Sequence, residues 1–202
     1  LHFVNTSGAS TIVAPFGGTE GRYATNPISI GMPKNDGDSL IFDAATSKLA
    51  EGKVKVALNK GSKLPPDTLL DSSGTPTRNP AALYTEPRGA LMPMGEYKGS
   101  GLAIMTDLLA GAIGGGGCHA PGVTALSNGM LSFLVDPGVF ADRDFVDSEI
   151  DKFTDWVRQT VPADLNYPVQ LPGDPERKSE TELRKHGITL DDSTWHQIVS
   201  TA

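Results

Sequence analysis

With 202 residues, the chain can bury an adequate core as one large domain or as a domain with a small appendage. Its 38% hydrophobic and 20% charged residues are ordinary for a soluble globular sequence. The net charge of −7 sits mostly after Phe140, where 13 acidic and 7 basic side chains leave −6, and the absence of a basic stripe argues against a nucleic-acid partner. A single cysteine excludes an internal disulfide framework and fits a reducing, cytoplasmic setting. No apolar run approaches the roughly 20 residues that span a bilayer, so no membrane partner is expected.

In chain order, Leu1 to Asn5 and Ile28 to Met32 read as short strands followed by turn residues. Between them, Val13 to Pro33 (VAPFGGTEGRYATNPISIGMP) combines glycines that permit unusual dihedrals with prolines that fix φ, so it shapes a surface and offers little acid or base. Ser39 to Asp43 has consecutive Leu40, Ile41 and Phe42, the pattern of a strand covered on both faces. Asp43 should end it as the chain enters a helix over Ala44 to Leu58. Lys60 to Pro93 is rich in Gly, Pro, Ser and Thr and reads as a surface excursion with one hairpin.

Leu102 to Ile113 has apolar residues on most sides and should form a buried helix, stopped by Gly114 to Gly117. Gly129 to Asp136 returns as a core strand. Asp142 to Thr160 is an amphipathic helix with Val146, Ile150, Phe153 and Val157 on one face. After a Pro-rich connector from Pro162 to Pro175, Ser179 and Glu182 read as a capping box opening a helix that Gly187 closes, and Asp191 caps the last helix. This pattern divides the chain into an α/β core over 1–178 and a C-terminal helical segment over 179–202.

Two places could hold an anion or a sugar. Lys98-Gly99-Ser100-Gly101 opens a helix, where free N–H groups, the helix dipole and a lysine would suit a pyrophosphate. The glycines could equally let a buried helix start close to a sheet. Asp43, at a strand end where open α/β sheets bind ligands, could accept bonds from a ribose hydroxyl or could cap the following helix. Asn26 before Pro27 reads as scaffold. Cys118-His119 lacks further spaced ligands for zinc and reads as loop, so no metal site is expected. Met92 and Met94, either side of Pro93, read as packing.

The stretch Val13 to Pro33, together with FDAATSKLAEGKVKVALNKG from Phe42, RGALMPMGEYKGSGLAIMTDLLAGA from Arg88 and LPGDPERK from Leu171, resembles the type-2 malate/L-lactate dehydrogenase family. HFVN followed by VAPFGG is similar to its hydroxycarboxylate dehydrogenase branch. The resemblance runs from about Leu1 to about Ile198. It implies a mixed-sheet, three-layer α/β domain outside the common dinucleotide fold, binding NAD or NADP, with C-terminal helices and a homodimeric assembly.

It also implies cofactor contacts at Ile41, Phe42 and Asp43, at Lys98 and Gly99, and at Gly173, Asp174 and Pro175. Asp174 there replaces the family's usual glutamate. Asn5 and Thr6 lie where the family places a further cofactor-adjacent residue. The implied reaction interconverts a small 2-hydroxy acid and its 2-oxo acid. The family's proton-transferring histidine lies in a Ser-His-Gly motif, and none of His2, His119, His186 and His196 has that context. The resemblance therefore places the catalytic histidine outside this chain and gives the role to no residue of it. The rival readings are a non-catalytic binding or scaffold relative and a phosphate-ester enzyme, the latter without the full Gly-x-x-x-x-Gly-Lys-Ser/Thr loop.

Overall fold

The computed structural model describes residues 1–8, 11–35 and 37–201. In chain order the elements are β1 (His2–Ser7), β2 (Ile28–Met32), β3 (Leu40–Ala44), α1 (Glu51–Asn59), β4 (Leu69–Leu70), β5 (Pro76–Thr77), β6 (Ala90–Leu91), α2 (Tyr97–Thr106), β7 (Ser127–Ser132), α3 (Arg143–Arg158), α4 (Asp174–His186) and α5 (Asp192–Thr201). Asp107–Ile113 continues α2 as a π-helix. Two compact units form: one comprises Leu1, residues 29–43 and residues 133–188; the other comprises residues 2–28, 44–132 and 189–202.

The larger unit owes its core to apolar residues of many short segments. Val13, Tyr23, Val54, Leu64, Leu69, Leu83, Leu91 and Ala103 form one buried cluster, and Ala14, Leu70 and Ala90 form a second, with Met92 packed against it. The excursion expected between Lys60 and Pro93 is tied down by a three-stranded sheet in which β4 pairs antiparallel with both β5 and β6. Its hairpin turn is made by Asp71, whose carboxylate accepts the amides of Ser73 and Thr75. In the same unit β1 pairs antiparallel with β7, Asn5 opposite Gly129.

In the smaller unit β2 lies beside β3. Asp142, read as part of the amphipathic helix, instead caps α3 by accepting the amide of Phe145, 3.2 Å away. In the larger unit Asp191 caps α5 through the amide and hydroxyl of Thr194.

Several expectations need correction. Asp43 caps no helix: it lies within β3, and α1 begins only at Glu51. β3 is not covered on both faces, since Ile41 and Phe42 are 49% and 41% exposed. β7 ends at Ser132, leaving Phe133, Leu134 and Val135 exposed outside the strand. α4 starts at Asp174, with left-handed Gly173 before it and Pro175 in its first turn, so Ser179 sits inside the helix and opens nothing. Gly187, at φ 81°, closes that helix as expected. The boundary drawn at 178/179 falls within α4.

Candidate functional site

In the smaller unit, the start of β3 and the turn before α4 are drawn together. The Ile41 amide donates to the Pro172 carbonyl at 3.3 Å, and the Arg177 guanidinium donates to the Ser39 carbonyl at 2.9 Å. Gly173 is held at φ 96°, a conformation that disfavours other side chains, and a Cβ on it would lie 2.7 Å from an Arg177 nitrogen. Ile41, Phe42 and Asp43 thus share one locality with Gly173, Asp174 and Pro175. Two apolar side chains and one carboxylate of that locality are solvent-exposed.

Asp174 is already engaged. Its carboxylate accepts the Leu171 amide at 2.8 Å and pairs with Arg177 at 2.6 Å and Arg158 at 3.1 Å. Burial alone would raise its pKa, but these bonds and charges outweigh it and hold the carboxyl below the ordinary range. Asp174 therefore organises the turn, and Gly173 is buried within it.

Lys98 and Gly99 belong to the larger unit, at the start of α2. The amide donors expected to cradle an anion there are used internally: Lys98 N–H goes to the Gly95 carbonyl, Gly99 N–H to Met94 and Ser100 N–H to Glu96. Gly99 is needed because a Cβ would meet the Met94 and Thr46 carbonyls. What remains for a phosphate at this point is the exposed Lys98 side chain. Ser100 fastens the glycine-rich segment to the helix, its hydroxyl accepting the Phe16 amide and bonding the Tyr23 hydroxyl.

A polar cluster also lies in the larger unit, joining Asn26, expected as scaffold, and His119, expected as loop, to Asn5, expected beside the cofactor. Asp107, 7% exposed, receives Asn5 Nδ2 at 2.9 Å, Asn26 Nδ2 at 3.2 Å and His119 Nδ1 at 2.6 Å. Asn5 also donates to the Gly117 carbonyl and accepts the Gly129 amide. Asn26, at φ 36°, donates to the Ala103 carbonyl as well. Burial opposes ionisation of Asp107, yet the bonds from His119, Asn5 and Asn26, with the charge of His119, hold its carboxyl below the usual range. The legible signal was a carboxylate inside the apolar run IMTDLLAGA, since a buried charge requires partners. The π-helix begins at that residue. Among the described residues no group of three or more His, Cys, Asp and Glu could hold a metal ion.

The family profile for malate/L-lactate dehydrogenase matches residues 1–199. The chain belongs to the malate/L-lactate dehydrogenase family. It is 37% identical to hydroxycarboxylate dehydrogenase B of Escherichia coli K12, covering 100% of this chain and 56% of that protein. It is also 31% identical to the L-lactate dehydrogenase of Cupriavidus necator, covering 98% and 58%.

Among solved structures, the sulfolactate dehydrogenase of Methanocaldococcus jannaschii superposes with a TM-score of 0.76 at 28% identity, covering 97% of this chain and 56% of that one. An E. coli chain described as a candidate malate/lactate dehydrogenase gives 0.89 at 36% identity, covering 96% and 55%. The fold is thus the α/β fold of malate/L-lactate dehydrogenases, and the chain spans a little over half the length of these relatives. Among the described residues no helix is long and apolar enough to cross a membrane.

Proposed function

We propose that this chain is the cofactor-binding portion of an NAD(P)-dependent dehydrogenase that interconverts a small 2-hydroxy acid and its 2-oxo acid, working as a homodimer in the cytoplasm. Family membership supports the reaction class. The observation that carries the site is the Ile41 amide to Pro172 carbonyl bond, which ties the start of β3 to the Gly173 turn.

The nicotinamide cofactor, when bound, supplies hydride exchange with the substrate carbon. The residues present suit such a cofactor. Exposed Ile41 and Phe42 offer apolar surface, exposed Asp43 can accept bonds from ribose hydroxyls, and Gly173, Asp174 and Pro175 form the turn beside them. In the larger unit, Lys98 supplies a solvent-facing cation for phosphate, acting as a point charge.

Calorimetric titration of the protein with NADH and with NADPH tests this reading. Binding of either one, weakened in Lys98→Ala by about tenfold without a change in unfolding midpoint, is the expected result. A folded protein that takes up neither would remove the dehydrogenase reading. Affinity unchanged in Lys98→Ala would remove only the phosphate role.

A further inference from the structure

In the smaller unit two arginines converge on one carboxylate. Asp174 Oδ1 accepts from Arg177 Nη2 at 2.6 Å and from Arg158 Nη2 at 3.1 Å, so these nitrogens lie no further apart than the two bonds laid end to end. Arg158 closes α3 and Arg177 sits near the start of α4. Like charges this close repel, and a single carboxylate neutralises only one of them. Among the described residues no other carboxylate pairs with either arginine. A surplus positive charge is therefore held at this point.

Both cations can be reached from solvent: the side chains of Arg158 and Arg177 are 49% and 31% exposed, against 24% for the Asp174 between them. Arg177 is fixed further by its Nη1, which donates to the Ser39 carbonyl just ahead of β3. Arg158 is held through Nη2 alone, so the Nε and Nη1 donors of its fork meet no acceptor on a described residue. Such a pair suits a terminal phosphate, which carries about two negative charges and three acceptor oxygens and is matched by arginine with parallel bonds. A sugar hydroxyl needs neither the second cation nor the surplus charge.

We propose that Arg158 and Arg177 bind the 2′-phosphate of an adenine dinucleotide, so that this chain takes NADPH in preference to NADH. The choice of dinucleotide rests on the dehydrogenase reading, whereas the paired guanidiniums do not. The Arg177 bond to Ser39 sets the phosphate site beside exposed Ile41 at the start of β3. Arg158 is the selective group, because its open donors have no other task in the turn. Arg177 also ties the turn to β3, and its removal would disturb both.

Calorimetric titration with NADPH, NADH and adenosine 2′,5′-bisphosphate, a fragment that keeps the 2′-phosphate without the nicotinamide, tests the assignment. The parent should bind NADPH about tenfold or more tighter than NADH, and Arg158→Gln should lose that margin, and as much affinity for the bisphosphate, with NADH affinity unchanged. Arg158→Lys, which keeps the charge but not the fork, should recover part of the loss and serves if Arg158→Gln fails to fold. A purely structural role for Arg158 would weaken both dinucleotides alike. Equal affinity for NADPH and NADH in the parent, or a ratio that Arg158→Gln leaves unchanged, overturns the phosphate assignment and leaves cofactor binding standing. Arg158-dependent binding of the bisphosphate without binding of either dinucleotide overturns the dehydrogenase reading and keeps the phosphate site. A folded parent that binds none of the three overturns both.

Discussion

A carboxylate set among apolar helix residues must find donors, and Asp107 finds them on three separate segments, at Asn5, Asn26 and His119. Replacing it with asparagine keeps the shape but turns one acceptor into a donor facing Asn5 or Asn26. Asp107→Asn should therefore destabilise the protein by about 1–3 kcal/mol, the usual cost of an unmet buried polar group. Because the folded-state pKa of Asp107 is depressed, its stabilisation is present above the unfolded-state value of about 4 and is lost as pH falls through the lower folded value. Urea melts of parent and variant should differ most above about pH 4, and the gap should narrow steadily as pH falls below it. A gap that does not narrow at all down to the lowest pH at which both proteins fold would show that ionised Asp107 does not carry the stabilisation. Asp107 could be suspected from the sequence, because a lone acid in such a run needs a reason. Its partners could not, since Asn5 and Asn26 lie 102 and 81 positions away and nothing local encodes that meeting.

Elements were more legible than their faces. The strand at Ile28–Met32, the cap at Asp191 and the stop at Gly187 follow from local chemistry, and all appear where that chemistry puts them. The run from α2 into the π-helix was read as buried all round, yet only its small and polar residues face inward: Gly99, Ser100, Ala103, Thr106, Asp107, Ala110 and Gly111. Leu102, Met105, Leu108 and Ile113 are 42 to 68% exposed. Composition shows that a helix is apolar, but not that its narrow side is the one that fits. That fit is tight, because a Cβ on Gly129 in β7 would lie 2.5 Å from both the Ala110 carbonyl and Asn5 Oδ1. Both are fixed by the helix and by the Asp107 cluster. Gly129→Ala should cost about 1–3 kcal/mol by overpacking, whereas Leu102→Gln with Met105→Gln should change stability by no more than about 1 kcal/mol in total. Chemical denaturation ranks them, and the reverse order would mean that the apolar side of this helix is the packed one.

At the scale of the whole molecule, the smaller unit exposes many large apolar groups, including Leu134, Val139 and Phe140 before α3 and Phe145, Phe153 and Trp156 along it. Exposed large apolar side chains in such number mark a place where other protein packs. The relatives carry nearly as much chain again beyond the matched region, which supplies a source for that cover. The 202-residue polypeptide prepared alone should therefore bind a hydrophobic dye such as anilinonaphthalene sulfonate and self-associate at micromolar concentration. A polypeptide of the relatives' length should do neither beyond a defined oligomer. Light scattering and dye fluorescence on the two preparations make the comparison, and a monodisperse, dye-silent 202-residue monomer would mean that these side chains cover one another in solution.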